Sequence, residues 1–158
     1  MDEKRAFLRH AVATVAYRGE KSVRGAPEAF ATFLAGPSSR TPAQILAHMS
    51  DLFDWALSIA KGEERWQGSP SLPWDGEVAR FFDALEKFDA YLASDGHLGG
   101  SAERLFQGPI ADALTHVGQL AMLRRLEGSA MRGENYFRAD IVTGRIGVEQ
   151  SPPKREFD

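Results

Sequence analysis

The sequence predicts an all-α fold: a four-helix bundle with short extra helical segments and an extended C-terminal arm. Apolar residues recur at helical spacing in four long stretches, and segments rich in Gly, Pro and Ser separate them. No stretch has the pattern of a credible strand ladder. The 158 residues fit one domain with one core. Amphipathic helices of this kind bury their apolar faces against one another, which favours a bundle.

The first helix is predicted over roughly residues 2 to 18, and a short helical piece follows it. Its apolar face consists of Phe7, Leu8, Ala11, Val12, Val15 and Ala16. The segment RGEKSVRGAP is expected to break this helix. The piece PEAFATFLAG comes next, with Pro27 in a position that suits its first turn.

The second long helix has the clearest start in the chain. Thr41 is the predicted N-cap, Pro42 is the first helical residue, and Gln44 can reach back to complete a capping box. Gly62 is expected to end the helix. The loop GEERWQGSPSLPWDG follows it.

The third and fourth helices are predicted from similar patterns. Asp75 can cap the third helix, which is expected to stop near SDGHLGG. After a turn-like segment, SAERLFQ, Gly108 and Pro109 open the fourth helix, which runs to Gly128. Its last turn is basic and carries Arg124, which complements the helix dipole.

The chain is expected to divide at Gly128. Residues 1–128 form the bundle, and residues 129–158 form an arm without helical periodicity that ends in a charged tail with two prolines. We expect the arm to pack on the bundle or on a partner, anchored by Tyr136 and Phe137. Its last residues are expected to be mobile.

Composition and charge exclude several classes of function. The chain contains no cysteine, which excludes disulfides, thiolate metal sites and a cysteine nucleophile. Its net charge of −3 argues against nucleic-acid binding, which usually needs a basic face. It has no apolar run of about 18 residues that could span a membrane. The charged start, MDEKRAFLRH, is unlike a secretory signal, so we expect a cytoplasmic protein.

Two histidines and one aspartate form the candidate site. His48 lies within the apolar arc of the second helix, where an imidazole needs a partner because unpaired burial costs roughly 1–3 kcal/mol. His116 lies in the apolar arc of the fourth helix, and Asp112 stands one turn before it, on the same side. Facing helices of bundles build metal sites from such side chains. We therefore predict that His48, Asp112 and His116 bind one divalent metal and leave positions open for water or substrate.

A simpler interpretation of these three residues remains open. An Asp and a His four residues apart on a helix occur often by chance, and Asp112 could simply be an acid favoured by the helix dipole. A lone core histidine is more often a hydrogen-bonded packing residue than a metal ligand. His10 and His97 are expected at the surface.

Two segments resemble the DinB-like superfamily of four-helix bundles, which includes mycothiol-dependent maleylpyruvate isomerases and bacillithiol S-transferases. AHMSDLFDWAL resembles the segment that carries the family's first metal histidine. DALTHVGQLAMLRRLEG resembles its motif H-x-x-x-H-R-G-Q, with Asp112 at the first His, Val117 at the Arg, and Gly118 and Gln119 at the Gly and Gln. The resemblance covers about residues 1 to 128.

This resemblance implies a metal-dependent enzyme that acts on a small molecule. The metal is expected to be Zn²⁺ or Ni²⁺, with Fe²⁺ and Mn²⁺ also compatible with a carboxylate in the ligand set. An external low-molecular-weight thiol could be activated by the metal for S-transfer or isomerisation, and hydrolysis is a further possibility. The family commonly forms homodimers, so we expect a homodimer.

The sequence assigns no catalytic residue beyond the metal ligands. Trp55, on the same face of the second helix as His48, could wall a substrate pocket, although a tryptophan there is at least as often core. Asp51 and Asp54 are expected on the solvated side of this helix. The alternative function is a non-catalytic bundle, with or without metal, that acts as a stress protein or a dimeric binding module.

Overall fold

The computed structural model describes residues 2–157, and the expected four long helices are present. They are α1 (Glu3–Val23), α2 (Pro42–Ala60), α3 (Trp74–Ala93) and, after the short α4 (Ala102–Leu105), α5 (Ala111–Glu127). Within residues 2–157 the only strands are β1 (Gly133–Glu134) and β2 (Glu156–Phe157), which pair antiparallel. The all-α bundle is therefore confirmed. None of the helices in this range combines the length and apolar character needed to cross a bilayer.

The four long helices enclose one apolar core. Three of its aromatic rings come from α2 and α3: the Phe53 ring lies 6.3 Å from that of Phe81 and 6.0 Å from that of Phe88, between centroids. All three side chains are fully buried. Burying a side chain of this size contributes about 1.5–3 kcal/mol. The helix that carries His48 is thus held firmly against α3.

The prediction that the first helix breaks at residue 18 was wrong, because α1 continues to Val23. Gly19 lies inside the helix against α3, and a β-carbon there would come within 2.9 Å of Cε1 of Phe81. The glycine therefore permits a close helix–helix approach. A short 3₁₀ turn, Glu28–Thr32, follows, with Pro27 directly before it.

Replacing Gly19 with alanine should lower the free energy of unfolding by about 1–3 kcal/mol, because the added methyl group overpacks a core aromatic ring. A β-carbon added at Gly118, which also lies in a helix, would meet no neighbouring group within 4 Å. Gly118→Ala is the matched control and should raise stability by about 0.5–1 kcal/mol through helix propensity. Urea denaturation measures both changes. Two changes of the same sign would contradict the close approach.

The sequence predicts the start of α2 correctly but assigns the wrong N-cap residue to α3. At α2 the capping box is confirmed: the Gln44 amide N–H donates to the Thr41 hydroxyl at 3.2 Å, and the Thr41 N–H donates to the Gln44 side chain at 2.9 Å. The prediction that Asp75 caps α3 was wrong, because Pro73 occupies the N-cap position.

The start predicted for the fourth helix was also wrong. Ser101 accepts a hydrogen bond from the Arg104 N–H at 3.2 Å and caps α4, so the chain is helical well before Gly108. Phe106–Ile110 forms a π-helical turn that joins α4 to α5. Pro109 lies in this turn and lacks the N–H that a regular α-helix requires, so the wider turn keeps the chain helical. Gly128 ends α5 with φ +101°, as predicted.

Arg124, in the basic last turn of α5, also makes contacts that the helix-dipole interpretation does not include. Its guanidinium is buried and donates to the carbonyl oxygens of Ser22 and Arg24, at 3.2 Å and 3.1 Å. These carbonyls belong to the end of α1, where no further turn is available to bond them. Arg124 therefore ties the end of α5 to the end of α1.

The C-terminal arm lies against α1 and α3. The Tyr136 ring packs edge-on against that of Tyr17 and beneath the guanidinium of Arg18. Phe137 was wrongly predicted as an anchor, because 89% of it is exposed. Ile146 is buried in the core instead. The mobility expected for the last residues stays a prediction.

A buried ionic cluster fastens the arm to the bundle. The ammonium group of Lys21 on α1 donates to Glu134 and to Glu156, each at 2.8 Å. The hydroxyl of Tyr17 donates to Glu134 at 2.7 Å. These contacts join both strands of the arm to one face of α1. They also explain why a charged stretch remains helical beyond residue 18.

Candidate metal centre

The three predicted ligands meet between α2 and α5. Nε2 of His48 lies 3.6 Å from Oδ2 of Asp112, and Nε2 of His116 lies 3.5 Å from Oδ1 of Asp112. One donor atom from each residue can be chosen so that all lie within 4.8 Å of one another. The group of His48, Asp112 and His116 could therefore hold a metal ion.

The separations of Asp112 from the two histidines are close to those of two ligands on one metal. Distances of 3.5 Å and 3.6 Å are too long for a good hydrogen bond between imidazole and carboxylate. Two ligands at about 2.1 Å from a tetrahedral metal lie roughly 3.4 Å apart. The two imidazole rings meet edge to face with centroids 4.9 Å apart, so neither ring blocks the other.

A hydrogen bond fixes the orientation of His116. Nδ1 of His116 donates to the side-chain oxygen of Gln119 at 3.0 Å, which leaves the lone pair of Nε2 directed towards Asp112. Metal-binding histidines commonly use this arrangement, since the second nitrogen donates to a fixed acceptor. Gln119, three positions after His116, thus orients this candidate ligand.

The surroundings of His48 favour its neutral form. Burial lowers the pKa of His48 below its ordinary value, and the nearby His116 and Arg40 lower it further, while Asp112 opposes the shift. A neutral imidazole is the form that donates to a metal. His48 could therefore bind a metal at neutral pH without first losing a proton.

Trp66 is a site residue that the sequence did not reveal. It belongs to the loop between α2 and α3, and its ring lies 5.6 Å from the His48 ring and 5.8 Å from the Trp55 ring, between centroids. About half of Trp66 remains exposed. It covers one side of His48. A loop has no periodicity from which such a contact could be predicted.

Trp55 does not line the cavity that contains the histidines. It lines a separate cavity of about 640 Å³ together with Gly108 and Arg104, and its ring lies 5.8 Å from that of Trp66, between centroids. The substrate-binding role of Trp55 stays a prediction.

Buried charges on α2 and α3 hold the loop that carries Trp66. Asp51 accepts a hydrogen bond from the Ser69 N–H at 3.1 Å, and Glu77 accepts one from the Leu72 N–H at 2.6 Å. Arg80 lies 2.9 Å from the Glu77 carboxylate. The expectation that Asp51 is solvated was wrong, since it is buried. Asp54 is exposed, as expected.

The π-helical turn immediately precedes Asp112. Such a turn inserts extra length into a helix and rotates the residues that follow relative to those before it. Asp112 lies two residues beyond Ile110, the last residue of this turn, so it follows the turn directly at the start of α5. Turns of this type occur frequently at functional sites.

A cavity of about 640 Å³ opens beside the two histidines. It is lined by Ser39, Arg40, Ile45, His48, His116, Gln119, Met122 and Leu123. Its volume falls within the range of small-molecule sites. The remaining histidines, His10 and His97, are exposed, as expected, and do not line this cavity.

No protein-family model, no curated protein and no solved structure matches this chain.

Proposed function

We propose that the protein binds one divalent transition metal through His48, Asp112 and His116 and acts as a metal-dependent enzyme on a small molecule. One observation carries the proposal: three donor atoms from two helices converge within 4.8 Å beside a cavity of about 640 Å³. Structural metal sites usually take four protein ligands, whereas three leave room for water or substrate.

The donor set defines the class of metal. Two imidazoles and one carboxylate suit Zn²⁺ and Ni²⁺, and also Fe²⁺ and Mn²⁺. When bound, such an ion lowers the pKa of a coordinated water or thiol and polarises a carbonyl group. Since the chain has no cysteine, thiol chemistry requires an external low-molecular-weight thiol.

Other features of the site determine its access to solvent and the orientation of its ligands. Asp112 is the most exposed of the three ligands, with 45% of its side chain accessible, so the open side of the site faces solvent there. Gln119 holds His116 in the tautomer that a metal needs. Trp66 shields the His48 ring. The resemblance to DinB-like proteins supports S-transfer or isomerisation with a thiol as the reaction, with hydrolysis as the further reaction class.

Metal-loaded protein should turn over a small electrophile with a small thiol, or hydrolyse an activated ester. The rate should fall at least about a hundredfold in His116→Ala, since a metal supplies several kcal/mol of transition-state stabilisation. His97→Ala is the matched control and should retain the rate. The assay follows thiol consumption and ester hydrolysis spectrophotometrically, with Zn²⁺, Ni²⁺, Fe²⁺ and Mn²⁺ in turn. Tight metal binding without any turnover would contradict the enzymatic part and favour a non-catalytic metal-binding bundle.

A further inference from the structure

A positively charged side chain lines the cavity beside the candidate metal centre. Arg40 lines the same cavity as His48 and His116. It is exposed, and no carboxylate within residues 2–157 forms an ion pair with it. An arginine in such a place can bind an anion that enters the cavity.

The rest of the cavity wall is largely apolar. Its apolar lining residues are Ile45, Met122 and Leu123. Met122 remains 53% exposed, so a ligand in the cavity would cover it. The hydroxyl of Ser39 already bonds to Gly36 and is not available to a ligand. A ligand that fits this wall has an apolar body and one charged end.

The donors around Arg40 favour a carboxylate over a phosphate. At the start of α2, Pro42 has no N–H and the Gln44 N–H is bonded to Thr41, so neither residue donates a backbone hydrogen bond to an anion. A dianionic phosphate ordinarily needs several donors, whereas one planar guanidinium matches one carboxylate through two parallel hydrogen bonds.

We propose that this cavity binds a small carboxylate with an apolar body, with the carboxylate paired to Arg40 and the body against Ile45, Met122 and Leu123. The opposite end of the ligand then lies beside His48 and His116. That this ligand is the substrate rests on the proposed function. The binding itself does not.

The test is calorimetric titration of the full chain with 4-phenylbutyrate and with its neutral amide. We expect the acid to bind more tightly than the amide, and Arg40→Gln to weaken binding of the acid about tenfold, as loss of one exposed charge-assisted pair implies. Arg40→Lys should retain part of the affinity. Arg125→Gln, an exposed arginine of α5 outside the cavity, is the matched control and should bind the acid like the wild type.

Several results would overturn the inference: equal binding of acid and amide, equal losses in Arg40→Gln and Arg125→Gln, full competition by inorganic phosphate, or no binding at millimolar concentration.

Titrations of chelator-treated and Zn²⁺-loaded protein separate this inference from the metal proposal. Arg40-dependent binding in a protein that takes up no Zn²⁺ would support the carboxylate site and reject the metal centre. Zn²⁺ uptake with no role for Arg40 in binding the acid would support the metal centre and reject the carboxylate site.

Discussion

Replacing His116 with alanine should lower the affinity of the protein for Zn²⁺ at least about a hundredfold. Removing a residue that merely orients a ligand typically costs ten- to a hundredfold, and removing the ligand itself costs more. His48→Ala should have a similar effect, because its Nε2 contributes from the opposite helix, 3.6 Å from Asp112. Competition with a chelating dye measures the affinities.

The same series contains a graded variant and two controls. Gln119→Leu removes the acceptor of the His116 Nδ1 hydrogen bond and should cost roughly ten- to a hundredfold in affinity. His10→Ala and His97→Ala remove exposed imidazoles and should leave the affinity unchanged. Wild-type affinity in both His48→Ala and His116→Ala would reject the site.

Replacing Lys21 with methionine should lower the free energy of unfolding by about 3–5 kcal/mol, which is the cost of removing one partner from a buried ion pair. The side chains of Lys21 and Glu134 are only 4% and 0% exposed. Without the ammonium group, Glu134 keeps the Tyr17 hydroxyl but loses its countercharge. Chemical denaturation followed by circular dichroism measures the loss.

Two further variants identify the cause of that loss. Adding Glu134→Gln to Lys21→Met removes the unpaired charge and should recover part of the stability. Lys87→Met breaks an exposed pair with Asp83 and should change stability little. Equal effects of the two lysine replacements would show that the buried cluster does not hold the arm.

The bundle and the positions of the three candidate ligands could be predicted because they depend on periodicity. Helical spacing placed His48 and His116 on inward faces, and the capping box at Thr41 marked the start of α2. Asp112 and His116 follow from a spacing of four residues on one helix. That all three meet also required the helices to face each other, which the bundle fold supplies.

The errors share a physical cause: tertiary contacts override local patterns. Gly19 and the charges after it suggest a break, but close packing on Phe81 and pairing of Lys21 keep α1 helical. Pro109 suggests a helix start, but it lies inside the π-helical turn that joins α4 to α5, so the chain is already helical before it. Asp51 carries a charge, yet a backbone N–H and a neighbouring arginine accommodate it in a buried place.

Parts of the site come from loops and could not be predicted. Trp66 reaches His48 only because the loop that follows α2 is held by buried carboxylates from two helices. Arg40 lies before the helix cap, in a position that has no periodic neighbours. The homodimer, the cytoplasmic location and the absence of nucleic-acid binding stay predictions.

The most direct test of the metal centre is elemental analysis combined with X-ray absorption on protein purified without a polyhistidine tag. We predict about one equivalent of a divalent transition metal, with two imidazoles and one carboxylate as protein ligands at about 2.0–2.2 Å. The metal should be absent from the His48→Ala/His116→Ala double variant. A wild-type protein that stays metal-free after reconstitution, or a double variant that keeps a full equivalent, would contradict the proposed centre.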